Sequence, residues 1–164
     1  LDLAKLESRH FTLTIESVDL TELVTQSAEG FRREADEAGL RILVDSPRDA
    51  HVIAQADADR LQQVLANLFE NALKFATSTV MVTVRDTAEG PLIEVSDDGP
   101  GIADEDLPHV FERLYVAKHT PQRREAGSGL GLAIVRELVD AMGGSVHATA
   151  RPNGGTTFVV MLPR

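Results

Sequence analysis

Cysteine is absent from the chain, so neither a disulfide framework nor a thiolate metal site is open to it, which is compatible with the cytoplasm. Basic side chains are scarce as well: 16 Lys and Arg stand against 26 Asp and Glu, a formal net charge of −10. A general nucleic-acid binder or a protein held on an acidic membrane needs a basic face, so the balance argues against both. Any anionic ligand must then be held by local donors. No apolar run approaches the roughly 18 residues of a membrane span, and there is no signal-peptide pattern, internal repeat or low-complexity tract. The first residue is Leu1 rather than Met, and the chain is expected to be part of something longer. What is present, 164 residues with 43% apolar content, suits one well-buried core.

Leu3, Leu6 and Leu13 stand at near-heptad spacing with His10 in the fourth place, which predicts the end of a helix over the first residues. Alternation from Phe11 to Val18 predicts a strand. Asp19 or Thr21 can cap a helix running to Ala38 and ended by Gly39. A short strand is expected over Arg41 to Ser46, a turn at Pro47-Arg48-Asp49, and a strong helical pattern from Asp57 to Ala76. Val80 to Arg85 and Leu92 to Ser96 read as strands around the turn at Glu89-Gly90-Pro91. Residues 103–126 are polar and charged and predict a long loop with one helical turn starting near Asp104; a loop this long in a small domain is usually functional. A helix to Met142, the turn Gly143-Gly144, and strands over Ser145 to Arg151 and Thr156 to Leu162 complete the chain.

The helix over 57–76 carries an unusual stripe. Stepping about 100° per residue from Asn67, Asn71 lies about 40° round, Lys74 about −20° and Glu70 about −60°. Leu61, Val64, Leu65, Leu68, Ala72 and Phe75 fall between about 60° and 160° and form the predicted core face. The stripe fits a solvated surface. It fits equally a site in which an amide oxygen ligates Mg²⁺, an ion that keeps waters and phosphates around it, and Lys74 adds a point charge.

Two glycine-bearing turns follow. Asp97 ends a strand, and Asp98-Gly99-Pro100-Gly101 continues with almost no side chains, so a planar ligand can approach closely. An ionised carboxylate only accepts hydrogen bonds, which favours adenine with its donating amino group. The same residues also make an ordinary turn. Metal binding by the Asp97 and Asp98 pair is disfavoured, since neighbours at a strand end point to opposite faces. Gly127-Ser128-Gly129-Leu130-Gly131-Leu132 then opens an apolar helix whose N-terminal N–H groups and dipole suit phosphate.

Taken in order and with their gaps, these segments resemble the catalytic ATP-binding domain of bacterial two-component sensor histidine kinases. Asn67-Leu68-Phe69-Glu70-Asn71-Ala72-Leu73-Lys74-Phe75 is similar to the family's N box, and Asp97-Asp98-Gly99-Pro100-Gly101-Ile102 to its first glycine box. Phe111-Glu112-Arg113 is similar to its F box, Gly127-Ser128-Gly129-Leu130-Gly131 to its second glycine box, and Gly155-Thr156-Thr157-Phe158 with Leu162-Pro163 to its closing strand. Residues 1–14 resemble the end of the second helix of the dimerisation and phosphoacceptor domain, leaving 15–164 as the catalytic domain with a lid at about 103–126.

The resemblance implies an α/β (α+β) two-layer sandwich of the Bergerat type, a mixed five-stranded sheet with about three helices on one face and a mobile lid. It implies ATP and Mg²⁺ as ligands. Asn71 would bind the metal, Asn67 and Lys74 the phosphates, and Phe75 would line the nucleotide site. Asp97 would meet the adenine amino group, with Gly99, Gly101, Ile102 and Thr156 around it. Backbone of Gly127, Ser128, Gly129, Leu130, Gly131 and Leu132 would hold phosphates, and Phe111, Arg113 and Tyr115 would belong to the lid, with Asn67, Lys74 and Arg113 serving the transfer. The partners implied are a dimeric phosphoacceptor domain of the same parent and a response regulator, in the cytoplasm, whether or not the parent is membrane-anchored.

One departure is visible. Where the family carries a lid arginine after the aromatic residue, this chain has Val116, with Lys118, Arg123 and Arg124 as nearby cations. None of the 5 histidines, His10, His51, His109, His119 and His147, is followed by an acidic residue as the family's phosphoacceptor usually is, so the chain is expected to bind ATP without phosphorylating itself. ATPases of the superfamily place a glutamate where Asn67 stands, and an amide cannot act as a general base. A serine kinase or a degenerate nucleotide-binding scaffold are the other readings.

Overall fold

Val80, Val82 and Val84 are buried while Thr79, Met81 and Thr83, alternating with them, are partly exposed, the period of a strand with one face on a core. The computed structural model describes residues 12–115 and 130–164. In chain order its elements are β1 (Glu16–Asp19), α1 (Leu20–Glu37), β2 (Arg41–Asp45), β3 (Ile53–Ala56), α2 (Ala58–Phe75), β4 (Thr79–Thr87) and β5 (Gly90–Asp97). A 3-10 turn (Leu107–His109), α3 (Gly131–Ala141), β6 (Ser145–Ala150) and β7 (Thr156–Met161) follow.

The main sheet has the order β2-β4-β5-β7-β6. Only β2 and β4 run parallel, joined through α2; the other neighbours are antiparallel, so the five-stranded sheet is mixed. Ile42, Val80, Val82, Ile93, Val95, Phe158 and Val160 meet Leu20, Val24, Leu61, Leu65, Leu68, Leu138 and other helix residues in one hydrophobic core. This is the expected two-layer arrangement. A separate two-stranded sheet, β1 with β3, pairs Glu16 with Ala56 and Asp19 with Ile53.

Helix boundaries follow local chemistry. Asp19 accepts the N–H of Glu22 at the start of α1, and Gly39, at φ +72°, reverses the chain after it. Asp57 caps α2 by accepting the N–H of Arg60 at 3.1 Å, and its other oxygen accepts the N–H of Thr14 at 2.8 Å. Burial works to raise the pKa of this carboxyl, but those N–H groups and the Arg60 charge outweigh it and hold it below the ordinary value.

Several expectations need correction. The strand expected over Phe11 to Val18 is confined to Glu16–Asp19; residues 12–15 form no helix or strand, and Leu13 packs on the core. The helix expected over the first residues otherwise lies outside the described chain. Strand β3 was not expected, because its four residues Ile-Ala-Gln-Ala show too short an alternation to register. The core face of α2 is wider than the stripe count suggests: Phe69 and Leu73 are buried while Phe75 is only half-buried, since α1 and α3 cover two sides of it. Phe111, placed by resemblance in the lid segment, is itself buried on the core, its ring edge-on to Phe158 with centroids 5.9 Å apart. The helical turn expected near Asp104 lies at Leu107–His109, with Asp106 fully buried before it.

Candidate functional site

Helix α2 brings its polar stripe to the edge of the core. Asn67 and Asn71 are half-buried; Glu70 and Lys74 are exposed. The Asn67 side-chain amide donates to the carbonyl of Gly131, 3.3 Å away, tying the stripe to the first residue of α3. The Asn71 side-chain oxygen is buried and has no hydrogen-bond partner among the described residues. Leaving a buried acceptor unsatisfied costs on the order of 1–3 kcal/mol, so the position suits a group that arrives from outside the chain. A hard cation accepts such an oxygen readily.

Helix α3 starts beside it. Leu130 is its N-cap and makes no side-chain capping bond, and the positive dipole end of the helix points out from this first turn. Leu130, Gly131 and Leu132 are half-buried there. Gly127, Ser128, Gly129, Val116 and Lys118 lie outside the described residues.

The third wall is the end of β5. Asp97 is fully buried, its Oδ1 accepting the N–H of Gly99 at 2.9 Å, and it stands directly across the sheet from Thr156. Thr156 is also fully buried, and its hydroxyl oxygen has no partner among the described residues. Backbone segments crowd this corner. A Cβ on Gly99 would lie 2.1 Å from the carbonyl oxygen of Phe75, and one on Gly155 only 1.9 Å from that of Asp97. Gly101, at φ +81°, and the buried Ile102 continue the wall.

Two contributors escaped the sequence reading. Arg151, at the tip of the β6–β7 hairpin, donates from Nη1 to the carbonyl of Asp97 at 2.9 Å, across 54 residues of sequence. Asp98 turns the other way from Asp97 and accepts the backbone N–H groups of Thr77, Ser78 and Thr79. Nothing in local spacing announces either contact.

At the stem of the expected lid, the Tyr115 hydroxyl donates to Asp106 at 2.5 Å, and the ring of His109 stacks on it at 5.4 Å. That bond to Asp106, then desolvation and the nearby carboxylates, pushes the phenol up to about 12. Leu114 is exposed and holds φ +58°, an uncommon conformation for a leucine. Arg113 is exposed beside it. Tyr115 is therefore engaged by the stem itself.

Residues 56–164 match the family described as histidine kinase-, DNA gyrase B- and HSP90-like ATPase. The whole chain aligns at 37% identity with the signal transduction histidine-protein kinase AfsQ2 of Streptomyces coelicolor, covering 29% of that protein. At 35% identity, 99% of it aligns with the autoinducer 2 sensor kinase/phosphatase LuxQ of Vibrio cholerae, covering 20% of LuxQ. Among solved structures, full-length ShkA in complex with AMPPNP superposes with a TM-score of 0.83 at 32% identity, over 98% of this chain and 33% of that one. The nucleotide-free catalytic domain of histidine kinase ThkA gives a TM-score of 0.79 at 25% identity, over 92% of this chain and 98% of that domain. The chain thus spans less than a third of the length of these curated relatives and nearly all of an isolated catalytic domain. With its Bergerat-type sheet and helix layer, the chain belongs to the histidine kinase-, DNA gyrase B- and HSP90-like ATPase family and is an ATP-binding domain of the sensor histidine kinase kind.

Proposed function

We propose that the domain binds ATP with Mg²⁺ among α2, the β5 turn and the start of α3, and delivers the γ-phosphoryl group to a histidine on a dimeric phosphoacceptor domain of the same parent protein. The observation that carries this reading is the Asn71 side-chain oxygen, buried and without a partner among the described residues. Among those residues no group of three His, Cys, Asp or Glu could hold a metal, so a cation here depends on Asn71 and on the phosphates. When bound, Mg²⁺ supplies neutralisation of phosphate charge.

The remaining roles belong to the chain. Asp97 accepts from the adenine amino group, while Thr156, Ile102, Gly99 and Gly101 shape the base pocket. Asn67 holds the start of α3 so that Leu130, Gly131 and Leu132, with Gly127, Ser128 and Gly129 before them, present N–H groups to the phosphates. Lys74 adds charge from α2, Phe75 lines the site, and Arg113, Tyr115 and Lys118 act from the lid side. In the transfer, the bond from the γ-phosphorus to the bridging oxygen breaks and ADP leaves with the electron pair. A nitrogen–phosphorus bond forms at the imidazole, whose proton passes to solvent. The protein's contribution is placement and charge. A response regulator would receive the phosphoryl group next, in the cytoplasm.

Hydrolysis by this site is disfavoured because Asn67 offers no base and its amide is bound to the Gly131 carbonyl. The deciding experiment is calorimetric titration with ADP and a non-hydrolysable ATP analogue, each with and without Mg²⁺. Binding of both with a magnesium dependence supports the proposal; binding of neither removes it in favour of a scaffold. Acid-stable phosphate on an added acceptor domain would instead indicate a serine kinase.

A further inference from the structure

Asp98 is the residue of the base-side turn that faces away from the base. Its Oδ1 accepts three successive backbone N–H groups, from Thr77 at 2.9 Å, Ser78 at 3.0 Å and Thr79 at 3.1 Å. Its Oδ2 accepts the Ser78 hydroxyl at 2.5 Å. Thr77 and Ser78 lie on the short connection from the end of α2, and Thr79 is the first residue of β4. The ladder between β4 and β5 ends with Val80 opposite Asp97, so Asp98 is the first link beyond the sheet. On its other side, Gly99 backs onto the carbonyl of Phe75, the last residue of α2, so closely that no side chain fits between them.

Two groups of ligand-facing residues meet at this junction. Asp97 and Gly99 are on one side; Asn71, Lys74 and Phe75, in the final turns of α2, are on the other. We propose that Asp98 is a positioning residue that sets the spacing between the base-reading turn and the metal- and phosphate-facing end of α2, so that a single nucleotide can engage both. The inference rests on the nucleotide-binding reading above. Asp98 itself touches neither base nor phosphate, because its oxygens are directed to residues 77–79. Burial works to raise its pKa, but the Ser78 hydroxyl and the three N–H groups outweigh it and hold the carboxyl well below the ordinary carboxylate range. The clasp therefore stays charged at any physiological pH.

A residue that only stabilised the turn would affect ligands in proportion to how well the turn folds. A spacing residue affects most the ligands that reach both sides. The test compares Mg²⁺-ADP with adenosine, which lacks phosphates, by NMR titration of the 164-residue chain and its Asp98→Ala, Asp98→Asn and Ser78→Ala variants, with thermal melts alongside. In Asp98→Ala the Kd for Mg²⁺-ADP should rise about tenfold and that for adenosine less than about threefold, a tenfold change being about 1.4 kcal/mol. Asp98→Asn keeps an oxygen for the three N–H groups and should restore both affinities to within about threefold of the parent. Equal losses for the two ligands, or no loss for Mg²⁺-ADP, would overturn the inference. If the alanine variant is unfolded at the assay temperature, Ser78→Ala decides by the same criterion: loss confined to Mg²⁺-ADP supports it, and equal or absent loss overturns it. Failure of the parent chain to bind Mg²⁺-ADP would remove the nucleotide-binding reading and this inference with it.

Discussion

Asn67 on α2 and Gly131 at the first turn of α3 are joined side chain to backbone at 3.3 Å, so the helix that carries the polar stripe also holds the start of α3. An asparagine is a mediocre helix former, and this bond supplies a reason for its place. Asn67→Ala should cost only about 1 kcal/mol of stability, the usual net value of one hydrogen bond. It should weaken the ATP analogue more than adenosine, and calorimetry with both ligands checks the difference.

In the proposed site Asp97 would meet the base as an acceptor only. Asp97→Asn keeps an oxygen to accept the Gly99 N–H, so the melting temperature should change little. Its amide can donate to a guanine oxygen, so ADP should bind more weakly while the preference over GDP narrows. Competition between the two nucleotides is the measurement, and unchanged selectivity would take Asp97 out of the base pocket.

Gly155 has no room for a side chain. A Cβ there would sit 1.9 Å from the Asp97 carbonyl oxygen, and the backbone is at φ +97°. Gly155→Ala should destabilise the fold by at least about 2 kcal/mol, since clash and backbone strain add. A denaturant melt would show it even without nucleotide.

Asp57 joins the entering chain to α2 by accepting from both Thr14 and Arg60. Replacing an N-cap carboxylate with alanine costs about 0.5–2 kcal/mol. Because the folded carboxyl has its pKa lowered from 3.8, its contribution is present above that pH and fades as the pH falls below it. Asp57→Ala and its parent should therefore differ in stability at pH 7 and converge in acid. Melts across that range test the sign.

Tyr115 is the chain's one tyrosine and there is no tryptophan, so ultraviolet titration near 295 nm reads a single phenol. Its midpoint should lie near about 12, and Asp106→Asn should bring it down toward the ordinary value of 10.0 by removing the carboxylate that holds the proton. A midpoint already at the ordinary value would show that the contact does not persist in solution.

Local signals sufficed for much of this. The alternation of Val80, Val82 and Val84, the caps Asp19 and Asp57, the reversal at Gly39 and the single-sided stripe of α2 each arise from neighbours in the chain, where dihedral preference and side-chain period act directly.

Tertiary structure decided which atoms meet. The Asp97–Thr156 pairing, the Arg151 clasp on the Asp97 carbonyl, the Asp98 bonds to residues 77–79 and the core placement of Phe111 all join positions far apart in sequence. Such contacts form only when strands and helices are already packed, because the apolar area buried by the whole core, and no local preference, offsets the entropy of bringing them together. Sequence by itself determined most of the helices and strands, because their periods and caps are local; folding alone determined that the Asn71 side-chain oxygen is left without a hydrogen-bond partner among the described residues and that Asp98, beside Asp97, gained four bonds.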